Sequence, residues 1–377
     1  MKILFWFTAF IALILTGFML LTAGWEAPPI EAEQSGYRGT GMAQINNPRV
    51  DPVRLEEQLA QVPTATPRAP DGPGPRAGDI YQNVEVLGHL SVANFNRVMQ
   101  AMTEWIYPEV GCAGCHNLNN LADESVYAKG VSRRMIQMTQ TINSEWQSHV
   151  ANVGVTCYTC HRGMAVPQYT WFNADPETYS ADGFAGWRNG QNRPAEFAGL
   201  SSLPEEPFSD LLEDDGEIRV GGTTALPYEG DNSASIEDTE WTYSLMMHMS
   251  TSLDVNCTYC HNSRHFGSWE SSSPQRVTAW HGINMAQNIN SEYVASVSGM
   301  LPPHRIGPTG EGRKVNCTTC HQGVNKPLGG LAMAQDYPSL QEPHSEAQAA
   351  EDTTENAEAL AVIDIDEAIL DEEPAGL

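Results

Sequence analysis

The chain has 377 residues, with 20 basic and 47 acidic side chains and a formal net charge of −27. That balance excludes nucleic acid as a natural partner and favours basic protein surfaces, steered over distances set by salt. The length suits one large domain or two ordinary ones, and 32 glycines with 24 prolines point to many loops.

After Met1-Lys2 comes an uncharged, mostly apolar run from Ile3 to Ala23, followed by Gly24-Trp25-Glu26. In helical form it spans roughly 31 Å, enough to cross a bilayer. It exceeds the apolar region of about 7–15 residues usual in cleaved signal peptides, and it lacks a small-x-small cleavage site. Trp25 suits the interface, so residues 1–25 are expected to form an uncleaved anchor. Lys2, the only early positive charge, keeps the terminus inside and sends the bulk out. No cysteine lies near this run, which excludes a lipid anchor there. Residues 26–90 show little periodicity and carry Pro63, Pro67, Pro70, Pro73 and Pro75. They read as an extended arm that needs a surface to lie on, or else as a disordered linker.

From Ser91, the residues Val92, Phe95, Val98, Met99 and Met102 recur at helical spacing, with Pro108 as a stop before Cys112-Ala-Gly-Cys115-His116. The next helix is expected to start with Ser132 as N-cap and to run through Met135, Ile136, Met138, Ile142, Trp146 and Val150 into Cys157-Tyr-Thr-Cys160-His161. Residues 171–238 lose the pattern and read as a surface connector, acidic at Glu213-Asp214-Asp215, with a short strand expected at Ile218–Val220. A third unit begins near Glu237 and carries Met246, Met247 and Met249 ahead of Cys257-Thr-Tyr-Cys260-His261. The fourth begins near Thr278 and reaches Cys317-Thr-Thr-Cys320-His321. Residues 328–377 are set apart as an acidic tail: no basic residue follows Lys326, and the stretch from Glu346 reads as solvated and mobile.

Two cysteines separated by two residues bring both thiols to one porphyrin edge, and the histidine that follows is carried under the iron. A single Cys-x-x-Cys-His could be half a zinc site or a redox dithiol. Four copies consume every cysteine and predict four covalently bound haem c groups. Covalent haem attachment places the body of the protein outside the cytoplasm. The repeat extends beyond the motifs. Met138-Thr-Gln-Thr-Ile-Asn-Ser-Glu-Trp146 matches Met285-Ala-Gln-Asn-Ile-Asn-Ser-Glu-Tyr293, and units one and three share Met-x-x-Met followed by Thr or Ser. The order is therefore A, B, A, B. It predicts a mainly α fold with extensive loops, in which dihaem halves at 91–170 and 239–327 are related by a pseudo-twofold axis, plus one N-terminal transmembrane helix.

An iron that only carries electrons has both axial positions filled, and methionine is a common second ligand. Candidates stand upstream of three motifs: Met99 with Met102 as rival, Met135 with Met138, and Met246 with Met247 or Met249. When the two Ile-Asn-Ser-Glu segments are aligned, Met135 falls opposite Gly282, so the fourth unit lacks the equivalent methionine. His149 is the leading substitute, with His281 and Met285 as rivals. Fourteen residues of one helix separate Met135 from His149, nearly four whole turns, which would put both on one face serving different haems. His89, His248, His265, His304 and His344 read as structural or exposed.

From about Ser91 to Lys326, the four motifs, the paired repeat, the methionines 13, 22 and 11 residues upstream and the histidine eight residues before the second motif resemble the tetrahaem cytochrome subunit of purple-bacterial photosynthetic reaction centres. The resemblance implies Met99 with His116, Met135 with His161, Met246 with His261, and His149 with His321. It implies a nearly linear stack of haems ordered first, second, fourth, third, the third nearest the bacteriochlorophyll special pair of core subunits L and M. A soluble cytochrome c or a high-potential iron–sulfur protein would supply the electrons. The location implied is the inner (intracytoplasmic) membrane, single-pass, with the bulk periplasmic. Some relatives carry a lipidated N-terminal cysteine, which Ile3–Ala23 would replace here. Two other classes compete. A multihaem nitrogen-compound enzyme needs an open iron position, and a multihaem respiratory relay tends toward bis-histidine ligation, which leaves the upstream methionines without a role.

Overall fold

Helices that lead into short Cys-x-x-Cys-His turns dominate the structure, a computed structural model that describes residues 2–22, 30–36, 39, 41–70, 72–173, 203–204, 206–214, 216–220, 234–341 and 343. Trp25, His344, most of the connector and the acidic stretch from Glu346 lie outside the described residues. The N-terminal helix α1 (Lys2–Thr22) contains an 18-residue span, Phe5–Thr22, of mean hydropathy 2.1, none of it buried within the protein. Such a helix meets the length and polarity demands of a bilayer.

The arm is packed. Strands β1 (Glu31–Gln34) and β2 (Ala43–Asn46) form an antiparallel hairpin with Glu31 opposite Asn46. Helix α2 (Asp51–Ala60) follows, and a short α3 (Ala77–Ile80) closes the arm. Helix α4 (Val92–Ile106) starts where the hydroxyl of Ser91 accepts from the Asn94 N–H, and it buries Val98, Ala101, Met102 and Trp105. Helix α5 (Tyr127–Glu145) begins five residues before the expected cap, so Ser132 sits inside the helix, where its hydroxyl faces the Cys115 sulfur at 3.6 Å. The long helix also does not reach Val150. It breaks at Trp146 (φ −104°, ψ 29°), and His149 rides on a separate short helix, α6 (Gln147–Val150). The expectation that Met135 and His149 share one straight helix is therefore corrected. Beside the break the Asn143 side chain is drawn inward to bond both the N–H (2.6 Å) and the carbonyl (2.9 Å) of Val155, ahead of α7 (Cys157–His161).

The connector is not wholly a surface segment. Within it α8 (Phe208–Leu212) buries Phe208 and Leu212 completely, against Leu245 and Ile283. Residues 218–220 form no strand, because among the described residues no backbone pairs with them along an edge; the Ile218 carbonyl instead accepts from the Thr242 hydroxyl. Helices α9 (Ile236–Leu253), α10 (Cys257–Cys260) and α11 (Pro274–Asn288) carry the third motif and the approach to the fourth. A π-helical turn, Ile289–Val294, joins α11 to α12 (Ala295–Val297), and α13 (Cys317–His321) holds the last motif. That π turn lies at the same Ile-Asn-Ser-Glu sequence that breaks α5. There Asn290 bonds the Val315 N–H (2.8 Å) and carbonyl (2.9 Å) as Asn143 does Val155. An inward-turned asparagine accompanies both disruptions, once a break and once a bulge.

The segments after each B-type motif cross over. Gln140 and Asn143 donate to the carbonyls of Ser339 (2.8 Å) and Leu340 (2.6 Å), which follow the fourth motif. Gln287 and Asn290 donate to Leu211 (3.1 Å) and Leu212 (2.8 Å), which follow the second. Between them Ile142, Ile289 and Val294 form a shared cluster with Met138, Met285, Val155 and Val315. The beginning of the predicted tail belongs to the core: Leu328, Met333, Tyr337 and Leu340 pack with Trp105 and Tyr158.

Candidate functional site

Each motif is one helical turn, and it presents its histidine in the same electronic state. The backbone N–H of His116 reaches the Cys112 carbonyl at 2.9 Å, and that of His261 the Cys257 carbonyl at 3.0 Å, so first cysteine and histidine lie one turn apart on one face. In all four motifs Nδ1 is held by a backbone carbonyl: His116 by Leu121 (3.1 Å), His161 by Met164 (2.8 Å), His261 by Phe266 (2.9 Å) and His321 by Val324 (3.0 Å). Donation from Nδ1 leaves the lone pair on Nε2, the atom a metal takes. Burial lowers the pKa of His161 and His261, and burial with the nearby His149 charge pushes His321 down to about 4, so these rings stay neutral.

Burial pushes the thiols of Cys157 and Cys317 up to about 12 and Cys260 up to about 11, whereas the hydrogen bond with Cys160 draws Cys320 below the usual thiol value. Among the described residues, no three His, Cys, Asp or Glu side chains converge on a possible metal position. The donor set fits a haem: two neutral thiols for the vinyl carbons and one imidazole for the iron. Buried donors lacking a partner among the described residues, Arg162 Nη2 and Asn316 Nδ2, flank the second and fourth motifs, so polar groups are left over there for a bound group to satisfy.

The motifs end in two ways. After His161 and His321, Arg162 (φ 48°) and Gln322 (φ 51°) turn left-handed, and Gly163 (φ 82°) and Gly323 (φ 80°) continue the turn. The N–H of Gly163 then reaches the Trp105 carbonyl and that of Gly323 the Ser252 carbonyl, both at 2.8 Å. Trp105 lies six residues after Met99 and Ser252 six after Met246. Met246, rather than Met247 or Met249, is thus the structural counterpart of Met99. After His116 and His261, Asn117 and Asn262 instead accept from the N–H groups of Asn119 (3.1 Å) and Arg264 (3.0 Å).

Met102 is committed to the core beside Trp105, while Met99 sits half-buried on its flank. Met138 and Met285 both pack in the cluster between the repeats, and Met135 is half-buried one turn before Thr139, which donates to its carbonyl (2.9 Å). His149 and His321 are brought together, with ring centroids 6.0 Å apart and planes at 67°. Two imidazoles on opposite sides of one metal at about 2.0–2.1 Å per bond have centroids separated by roughly 6 Å. His149 Nδ1 is held by the Thr278 carbonyl at 2.9 Å, which leaves Nε2 open as in the motif histidines. His281 lies against Trp280 instead, and His248 is buried between Phe208 and the Ser252 hydroxyl.

Sequence reasoning did not single out Asn143, Asn290 or Arg162, and it met Gly282 only as the position where the counterpart of Met135 is missing. The two asparagines were inside the matched repeat, and their identical placement was the available signal.

The family model described as photosynthetic reaction centre cytochrome C subunit matches residues 26–341. A protein named photosynthetic reaction center cytochrome c subunit from Rubrivivax gelatinosus is 55% identical over 322 residues, 85% of this chain and 86% of the relative. One of the same name from Thermochromatium tepidum is 44% identical over 328 residues, 87% and 79% of the two chains. A third, from Roseobacter denitrificans, is 43% identical over 323 residues, 81% and 84%.

Proposed function

Because the chain belongs to the family of photosynthetic reaction-centre cytochrome c subunits, we propose that it re-reduces the photo-oxidised special pair through four c-type haems on a periplasmic body held by α1. As a member it is an electron-transfer subunit of the membrane-bound reaction centre and carries covalently bound c-type haem. Core subunits L and M are its proposed neighbours. A soluble cytochrome c or a high-potential iron–sulfur protein is its proposed donor.

One observation carries the proposed order of the haems. The arm touches the four units in succession. Ala43 accepts from Asn256 (2.7 Å) and Thr258 (3.1 Å) at the third motif. Arg54 and Gln58 donate to Gly323 and Gln322, both at 2.9 Å, at the fourth. The Gln61 carbonyl accepts from Tyr158 (2.7 Å) at the second, and Ala69 pairs with Asn94 at the first unit. These contacts follow one another from residue 43 to residue 69 of the arm, and their succession supports a row of third, fourth, second, first. The Cys160 and Cys320 thiols lie against each other, as neighbours in that row would. Eight residues separate Thr22 of α1 from Glu31 of β1, at most roughly 32 Å from Cα to Cα along the chain. This tether supports the third motif as the membrane end, next to the special pair.

Two dihaem halves, 91–170 and 239–327, are supported by the matched asparagine, glutamine and glycine bonds. Residues 1–25 would be the anchor, 26–90 a strap, 171–238 the link and 328–377 the tail. Cys112 and Cys115, Cys157 and Cys160, Cys257 and Cys260, and Cys317 and Cys320 would hold the porphyrins. The axial pairs would be His116 with Met99, His161 with Met135, His261 with Met246, and His321 with His149.

Haem, when bound, supplies a one-electron iron couple. The chain's part is to orient each imidazole through its Nδ1 carbonyl bond, and burial keeps those of His161, His261 and His321 neutral. It also excludes water around the inner motifs, and it fixes spacing through the crossed segments. A flash experiment on native membranes tests the function. Microsecond oxidation of the cytochrome, matched to recovery of the special pair, is the expected result. Photoactive membranes with reduced haems and no flash-linked oxidation would overturn it.

A further inference from the structure

The pseudo-symmetric halves differ at one pair of positions that face each other across the interface. Aligned on the repeat, Met135 corresponds to Gly282 and His149 to Ser296. Both halves make the same crossing. His149 reaches from α6 onto α11, where the Thr278 carbonyl accepts from its ring. Ser296 on α12 reaches back to α5, accepting from Arg134 Nε at 3.0 Å. In one direction the crossing residue is an imidazole laid over a glycine. In the other it is a small hydroxyl, and a methionine stands where the glycine would be.

Gly282 has no conformational reason to be glycine. It lies inside α11 with no left-handed φ, and glycine in a helix interior destabilises relative to alanine. The reason is space. A Cβ at Gly282 would stand 2.5 Å from His149 Cε1, 2.8 Å from Nδ1 and 3.1 Å from Nε2, and these are its three nearest neighbours. All three of the nearest atoms belong to that one imidazole.

We propose that Gly282 is the position that selects the sixth ligand of the fourth haem, admitting the His149 ring over α11 and withholding the methionine that Met135 supplies in the other half. The two halves thus hold alternative settings of one device, glycine with histidine or methionine with serine. Gly282 is a positioning residue: it touches no iron and acts through His149. The inference rests on the proposed ligation of His321 and His149 to one haem.

The test uses the assembled holoprotein in its reaction centre, read by optical and paramagnetic spectra, carbon monoxide binding and redox titration. Gly282→Ala should displace the imidazole, so that one haem of four loses its bis-imidazole signature and binds carbon monoxide. His149→Ser should do the same. Gly282→Ala with His149→Ser should assemble and match His149→Ser alone, because the three atoms nearest to the methyl are gone. That double variant also separates local displacement from a failure to fold. Gly282→Met with His149→Ser should restore a sealed six-coordinate haem with a thioether ligand and a higher midpoint. The oxidised-to-reduced ratio of that haem should shift at least about tenfold at fixed potential, about 59 mV. If Gly282→Ala keeps the native spectrum, or is as damaging with His149→Ser as without it, the proposal is overturned. If His149→Ser itself leaves all four haems unchanged, the ligation reading falls instead.

Discussion

The second and fourth motifs and the first and third write the same pentapeptide into different surroundings. The inner pair are joined through Cys160 and Cys320, with Cys157 and His321 buried, whereas Cys112 and Cys257 of the outer pair are exposed. The inner turns close with a left-handed residue and a glycine tied back to α4 or α9, and their approach is held by an inward asparagine. The outer turns close with a local asparagine turn and a longer reach to the carbonyl that holds the histidine. What differs is therefore the support around the turn. The inner pair are braced by the other half of the molecule, and the outer pair mostly by their own loops.

The strongest way to break this comparison is to remove the inner brace. Asn143→Ala would leave the Val155 N–H, the Val155 carbonyl and the Leu340 carbonyl without their partner. Asn290→Ala would do the same to Val315 and Leu212. Each should cost about 3 kcal/mol, since each orphaned buried group costs about 1–3 kcal/mol before local relaxation. Asn117→Ala in the outer first motif, which gives up a bond to Asp123 and one from Asn119, should cost about 1 kcal/mol. Denaturant midpoints followed by the Soret band would show this order. Equal costs at inner and outer positions would erase the distinction.

A smaller effect concerns the crossed segment α8, which braces the inner pair. The carboxylate of Glu206 accepts from the Phe208 N–H (2.6 Å), the Ser209 N–H (2.9 Å) and the Ser209 hydroxyl, yet burial pushes its pKa up to about 7. A carboxyl whose folded pKa lies above its unfolded value of about 4.3 contributes stability that is complete below that value and lost as pH rises through about 7. Glu206→Gln should match the native protein at pH 4 and exceed it at pH 8 by roughly 2 kcal/mol, within the ceiling of about 3.7 kcal/mol that a rise from about 4.3 to about 7 sets. A variant less stable at both pH values would mean that the hydrogen bonds outweigh burial.

The smallest effect is expected beside the outer first motif. Hydrogen bonds from Arg133 and then Lys129 hold the Glu124 carboxyl at about 2. Because Glu124 is half exposed, Glu124→Gln should cost only about 0.2–1 kcal/mol at pH 7. Here the folded pKa is depressed, so the contribution is present above about 4.3 and fades as pH falls toward 2. Thermal unfolding of the variant from pH 7 to pH 2 would show the gap closing. A gap that persists at pH 2 would assign the loss to packing.

Much of the candidate site was legible in the chain because its determinants are local. The spacing of Cys-x-x-Cys-His is covalent, the apolar periods before each motif place helices, and the A, B, A, B repeat survives as matching residues. The arm was ambiguous from sequence, since a proline-rich stretch without periodicity does not say what it lies on. Ser132 was misplaced as a cap because the apolar pattern that identifies a helix says little about its first turn. The break at Trp146 and the π turn at Ile289–Val294 arise from the same tetrapeptide, so no local rule separates them. Only the partners waiting at Val155, Leu340, Val315 and Leu212 do.

The sequence by itself determined the kind of group that attaches and where its anchors lie: eight cysteines and four histidines at fixed spacing, doubled as two matched pairs, behind one apolar helix. Those features depend on neighbours along the chain, where covalent geometry does the placing. The tertiary structure alone decided that α8 and residues 338–340 exchange sides, that the arm runs past the third, fourth, second and first units in turn, and that His149 rather than His281 faces His321. These depend on contacts between residues 25 to more than 250 positions apart. Such contacts are selected by shape and hydrogen-bond satisfaction in the packed interior, where a glycine such as Gly282 matters for the side chain it does not have.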